Sequence, residues 1–190
     1  MAEVLLYNVE KNYDIDRFNE IAKANNIGIK RANKDDIDQL VGYLIDLPGF
    51  EKTENQREFD PNLDFPFILF VGFERNELFD FLDLLRENKL SIQHKANETH
   101  NNVNWTLREL LIENDREGKM MGLIHRINGL VDMANDLKEK HGEDANLKKL
   151  INEMQAYFDD SSLFELEVAN EYYKKLEKEV KRVYMENLEG

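Results

Sequence analysis

Apolar residues run almost without interruption through residues 4–9 and 67–73, whereas they alternate with polar residues through 27–32 and 90–96. A continuous run marks a strand covered on both faces, and alternation marks a strand with a face or an edge in water. Four strands are therefore predicted, at about 3–9, 27–32, 66–73 and 90–97, with the first and third central. Between them apolar positions recur every three or four residues, which predicts helices over 13–25, 34–47, 75–88 and 103–116. Asn33, followed by Lys34, Asp35 and Asp36, reads as an N-cap with acids in the first turn, and Pro48-Gly49 stops that helix. The stretch 49–64 is polar and irregular, and loops of that length are uncommon unless they have a task of their own.

The pattern also repeats. Residues 4–33 (VLLYNVEKNYDIDRFNEIAKANNIGIKRAN) and 68–96 (ILFVGFERNELFDFLDLLRENKLSIQHKA) are two copies of one strand, turn, amphipathic helix and strand, with one residue dropped after the first strand. Leu5 falls on Leu69, Glu10 on Glu74, Phe18 on Phe81 and Asn25 on Asn88. Right-handed crossovers in a mainly parallel, four-stranded sheet of order 2-1-3-4 place two helices on each face, a three-layer α/β arrangement. A ferredoxin-like order 4-1-3-2, with 34–47 as an insertion, is the alternative.

Beyond Gly118 the pattern becomes purely helical. Stripes at three- and four-residue steps run through Met120, Leu123, Ile127, Leu130, Ala134 and Leu137, then Leu147, Leu150, Met154 and Tyr157, and finally Leu166, Ala169, Tyr173, Leu176, Val180 and Val183. Gly142 closes the first, and Ser162 with Glu165 reads as a capping box opening the last. The expected organisation is an α/β domain over 1–117 followed by a C-terminal three-helix extension over 118–190, with Glu117-Gly118-Lys119 as a helical junction.

Composition narrows the classes. Of 190 residues 42% are hydrophobic, enough for a real core, and the formal net charge of −14 repels phosphate backbones and anionic lipid. No nucleic-acid or membrane partner is expected. The absence of cysteine rules out disulfides, thiolate nucleophiles and cysteine-held metals. Met1-Ala2-Glu3 leads straight into a strand without a secretion signal, so a soluble cytoplasmic protein is expected. There is no GxGxxG or GxxxxGKS pattern, and no cofactor is expected.

Several spaced segments resemble a bacterial family, domain of unknown function 3783. The resemblance is carried by LLYN (5–8), GYLIDLPGFE (42–51), FVGFERNELFDFLDLLREN (70–88) and HKANETHNNVNWTLRELL (94–111), over roughly residues 3–116. Lys95, Ala96, Thr99, Asn102 and Trp105 look like the family's closing signature. The resemblance implies no activity, and the helices after Gly118 look like an addition to the short family member.

In an open parallel sheet ligands sit beyond the carboxyl ends of the strands. Asn8, Glu10, Glu74, Thr99, His100 and Trp105 are therefore the ligand-site candidates. Glu10 and Glu74, at equivalent repeat positions, suit acid/base or cation chemistry, but solvated acids near helix N-termini are the plainer reading. Trp105 reads as core before ligand platform, and the Asn101, Asn102 and Asn104 side chains as helix caps. His94 and His100 bracket Glu98 without a recognised metal spacing, so no metal site is assigned. Tyr43 and Phe50, and Tyr172 and Tyr184 in the last helix, are candidate partner contacts. The reading is a non-enzymatic binding or regulatory module that meets a protein partner or a second copy through the C-terminal helices. The alternative is a small enzyme using acids and histidine at the rim, with or without a divalent cation.

Overall fold

A computed structural model describes residues 2–9, 13–54, 56–159 and 165–188. The chain forms two compact units, Met1–Arg116 and Glu117–Gly190. The first contains strands β1 (Glu3–Tyr7), β2 (Gly28–Ala32), β3 (Phe67–Val71) and β4 (His94–Asn97). Its helices are α1 (Ile15–Ala24), the short α2 (Val41–Leu44) and α3 (Arg75–Glu87). Helix α4 (Leu107–His141) begins there and stays helical through Glu117, Gly118 and Lys119.

The sheet has the order β2-β1-β3-β4, as the strand patterns predict, and this excludes the ferredoxin-like alternative. Two of the three neighbouring pairs are parallel, but the central pair, β1 with β3, is antiparallel. The two copies of the repeat therefore meet head to tail. Leu5 lies opposite Leu69, its own repeat equivalent, with Val4 opposite Phe70 and Leu6 opposite Ile68. A local two-fold axis thus passes between Leu5 and Leu69 and relates β1-α1-β2 to β3-α3-β4.

That symmetry decides which helices share a face. Phe18 and Ile21 of α1 and Phe81 and Leu85 of α3 pack together on the side of the sheet carrying Val4, Leu6, Ile68 and Phe70. The other side, with Leu5, Tyr7, Phe67 and Leu69, is covered by Val41 of α2 and by Leu107, Leu110 and Leu111 of α4. The expected two helices per face are present.

The segment predicted as one helix over 34–47 is broken into a 3₁₀ turn at Lys34–Asp36 and the single turn of α2. Its apolar stripe is genuine, because Ile37, Val41 and Ile45 are all buried. The break lets the chain run beside the start of α4, where Ile37 and Gln39 carbonyls accept from the Arg108 and Leu107 N–H groups at 2.7 and 2.9 Å. Those two donors lie in the first turn of a helix and have no partner within it. Thr106 and Glu109 close the same end as a capping box, with Thr106 N–H donating to the Glu109 carboxylate at 2.8 Å and Glu109 N–H donating to Thr106 Oγ1 at 3.2 Å.

At the β4 edge, Glu98 N–H donates to Phe70 O, so alternate residues Lys95 and Asn97 turn their carbonyls away from β3. Both are occupied by side-chain amides: Asn114 Nδ2 donates to Lys95 O and Asn102 Nδ2 to Asn97 O, each at 2.8 Å.

In the second unit the remainder of α4 is joined by α5 (Ala145–Asp159) and α6 (Leu166–Glu186). The predicted stripes form its core, with Leu123, Ile127, Met154, Leu176 and Val180 buried together. Gly142, at φ +95°, reverses the chain after α4. Asp144 then accepts from Leu147 N–H at the start of α5, and also from Arg182 of α6 at 2.9 Å. Glu165 precedes α6 without a side-chain cap, and Ser162 lies outside the described residues. No described helix is long and apolar enough to cross a membrane.

Leu176 is fully buried, and Leu176→Ala should cost about 2–5 kcal/mol through the cavity it leaves. In urea titrations the helical circular dichroism should then gain an early transition. The fluorescence of Trp105, which reports on the first unit, should keep its midpoint.

Candidate functional site

The antiparallel centre corrects the picture of a single rim. Asn8 follows β1 at one end of the sheet, whereas Gly72 follows β3 at the other. By the register these positions are six residues apart along the strand direction, about 20 Å at 3.3 Å per residue. Asn8 therefore cannot share a site with Glu74. Glu10 lies outside the described residues.

Asn8 adopts φ +52° and donates from Nδ2 to Asp64 Oδ1 at 2.8 Å, and Lys34 reaches the same carboxylate at 2.9 Å. A small cavity of about 80 Å³ opens there between Leu6, Asn8, Arg31 and Lys34. At the opposite end Glu74 is an exposed residue preceding α3, its N–H 3.4 Å from the Glu77 carboxylate. Glu98 accepts from Gly72 N–H at 3.2 Å. Among the described residues no three His, Asp or Glu side chains are placed to hold a metal ion. His94 stacks on Phe65 at 4.1 Å, with Nδ1 3.3 Å from Asn114 Oδ1. Because the Asn114 amide nitrogen is already donating to Lys95 O, its oxygen is the acceptor and His94 Nδ1 carries the hydrogen.

Thr99, His100 and Trp105 lie along one short stretch between β4 and α4. Thr99 and Asn102 lock a turn, Thr99 N–H donating to Asn102 Oδ1 at 2.8 Å and Asn102 N–H to Thr99 Oγ1 at 3.1 Å. The His100 carbonyl accepts from Asn104 Nδ2. The 3₁₀ turn Asn102–Asn104 that follows packs on α2, and Val41 N–H donates to Trp105 O at 2.8 Å. Trp105 is thus tied through its carbonyl to Val41, the first residue of the turn of α2 that also carries Tyr43. Trp105 is 36% exposed, which corrects its reading as a core residue. The Asn102 and Asn104 side chains serve this turn, while Thr106 and Glu109 cap the helix. Phe50 is partly buried, its ring lying on Gly42, where an added Cβ would come within 2.6 Å of it.

Beneath this surface lies an arrangement with no mark in the linear pattern. Asp38, almost fully buried, accepts from Arg108 at two points, Nε at 2.7 Å and Nη2 at 2.9 Å. It also accepts the Arg57 N–H at 2.8 Å and the Arg57 guanidinium at 2.9 and 3.0 Å. Gln39 beside it pairs with the Thr53 main chain like a short piece of strand, donating to the carbonyl and accepting from the N–H at 2.8 Å each. The Arg108 hydrogen bonds, opposed by burial and reinforced by Arg57, hold the Asp38 carboxyl well below the usual carboxylate range. Tyr7 donates to Leu63 O at 3.1 Å, and its hydroxyl pKa is pushed up to about 12, first by burial and then by the charge of Asp64. Among the described residues every buried side-chain nitrogen or oxygen has a partner.

In the second unit Tyr172 packs on the core and lies 5.4 Å from the ring of Tyr157. Tyr184 is half exposed, as are Met185 and Leu188, in and just beyond the last turn of α6.

With this geometry in place, the family comparison is specific. The model of the family described as a domain of unknown function, DUF3783, matches residues 66–121. The matched span runs from the residue before β3 into α4 and contains Glu74, Thr99, His100, Trp105 and Arg108. Residues 5–8 and 42–51, also read as resembling the family, precede it. No curated protein and no solved structure matches the chain.

Asp38→Asn leaves Arg108 buried without its full counter-charge, a change that should cost about 3–5 kcal/mol in chemical denaturation. Because the folded carboxyl titrates below its unfolded value, its stabilisation is present above about pH 4 and is lost as pH falls toward the depressed value. The variant should flatten that acid limb of the stability curve.

Proposed function

We propose that the α/β unit is a protein-binding module whose contact surface is formed by α2 and the 3₁₀ turn before α4. The observation that carries this reading is Trp105, the chain's single tryptophan, which stands partly in solvent on a backbone fixed at both ends. Its N–H donates to Asn102 O at 3.2 Å and its carbonyl accepts from Val41. An aromatic side chain on a main chain already fixed before binding has less freedom left to lose on contact, and such residues dominate interface energetics. Tyr43, in the α2 turn whose Val41 holds the Trp105 carbonyl, offers a second amphipathic ring. The roughly 20 Å between the two groups of strand ends weighs against a shared acid/base site at the rim.

The second unit supports a complementary role in self-association. Tyr184, Met185 and Leu188 are each at least half exposed at one end of α6. Large apolar side chains left exposed close together in sequence are what a contact surface would use.

A photo-reactive amino acid placed at Tyr43 or at Trp105 and activated in the native cell should cross-link to the same partner. The same probe at Glu87 should not. Failure of both positions to cross-link would overturn the reading. Independently, sedimentation at tens of micromolar should show a dimer, and Tyr184→Glu with Leu188→Glu should give a monomer of unchanged helix content. A wild-type monomer at that concentration would remove the self-association role.

A further inference from the structure

Residues 49–63 cross the face of the first unit that carries α2. Their described members contain no strand and no helix beyond the 3₁₀ turn Pro61–Leu63, and Leu63 is the only fully buried apolar side chain among them. The segment is held by two partly buried rings, Phe50 and Phe59, the latter under Lys34 at 4.5 Å, and by polar contacts at separate points. Gln39 grips the Thr53 main chain, Asp38 takes the Arg57 N–H and side chain, and Arg108 donates to Glu58 O at 3.2 Å. Phe50, at its start, fills the space over Gly42.

These contacts differ in what their loss would leave behind. The Arg57 side chain is 59% exposed, and Asp38 keeps its two-point pairing with Arg108 when Arg57 departs. The Thr53 main chain can return to water. Opening therefore leaves no bare buried charge, because the Asp38–Arg108 pair stays intact. Segments held by few apolar contacts open at a free energy below that of global unfolding.

We propose that residues 49–60 form a strap that opens as one piece while the sheet stays folded. Gln39 and Arg57 are its catches, and Phe50 is its plug over Gly42. Opening uncovers a glycine-floored notch on α2 beside Tyr43. The use of that notch in recognition rests on the contact surface proposed above; the opening itself does not.

Native-state hydrogen exchange on the wild-type chain tests the opening directly. The Thr53 and Arg57 amides should exchange about 100-fold faster than those of Leu5 and Leu69, with little response to low urea, as expected for a local opening. Equal rates with the same urea dependence as Leu5 and Leu69 would overturn the proposal. In Gln39→Ala with Arg57→Ala, trypsin should cut after Lys52 about tenfold faster than in the wild type, while the Trp105 fluorescence midpoint in urea is unchanged. Simultaneous cleavage throughout the α/β unit, or a variant that does not fold, would also overturn it, because catches that hold only a strap are dispensable to the sheet. The cross-linking at Tyr43 and Trp105 can fail without affecting either readout.

Discussion

The antiparallel contact between β1 and β3, centred on Leu5 and Leu69, sets the architecture of the first unit. Each repeat alone is a strand, helix and strand with one apolar edge open. Joining them head to tail closes both edges in the middle of the sheet, where Val4–Tyr7 and Phe67–Phe70 are buried on both faces. The same operation places α1 and α3 side by side, so Phe18 meets Phe81 at 6.0 Å in an edge-to-face contact. It leaves the opposite face to be covered by non-repeated elements, α2 and the start of α4. One face is therefore symmetric and the other is not, and the polar arrangement around Asp38 belongs to the asymmetric one.

On that second face the buried Asp38–Arg108 pair fastens elements distant in sequence. Breaking such a pair is costly, although a well-packed apolar substitute for the whole pair need not be. Its value here lies in geometry. It holds residues 37–41 against the first turn of α4, where their carbonyls complete the helix terminus and Val41 N–H fixes Trp105. The exposed aromatic surface and the covering segment are thus referenced to the same carboxylate.

Much of this fold is written in the spacing of apolar residues. Strand positions, sheet order and the helical stripes of the second unit all follow from it, because burial on two faces, one face or one stripe leaves different periods. Strand direction leaves no such trace. The runs at 4–9 and 67–73 read the same whether β1 and β3 are parallel or antiparallel, and the single rim depended on the choice. The helix over 34–47 failed for a related reason: Ile37, Val41 and Ile45 keep helical spacing, but carbonyls at 37 and 39 find better use at α4. Of the candidate site, Thr99, His100 and Trp105 share the stretch before α4, while Asn8 and Glu74 are separated. Asp38 and Arg108 lie 70 positions apart, and no local pattern marks two residues paired only by the folded chain.

The occupied carbonyls of Lys95 and Asn97 bear on how this chain behaves at high concentration. A sheet edge is a template on which another chain can add a strand, and repeated addition is the route to fibrous aggregation. At β4 an incoming strand would have to displace the amides of Asn102 and Asn114, each already bonded at 2.8 Å. Asn114 is carried by α4, and Asn102 is locked to Thr99, so neither can swing aside freely. The guard is made of neutral side chains, so unlike an edge protected by lysine it does not weaken as salt rises.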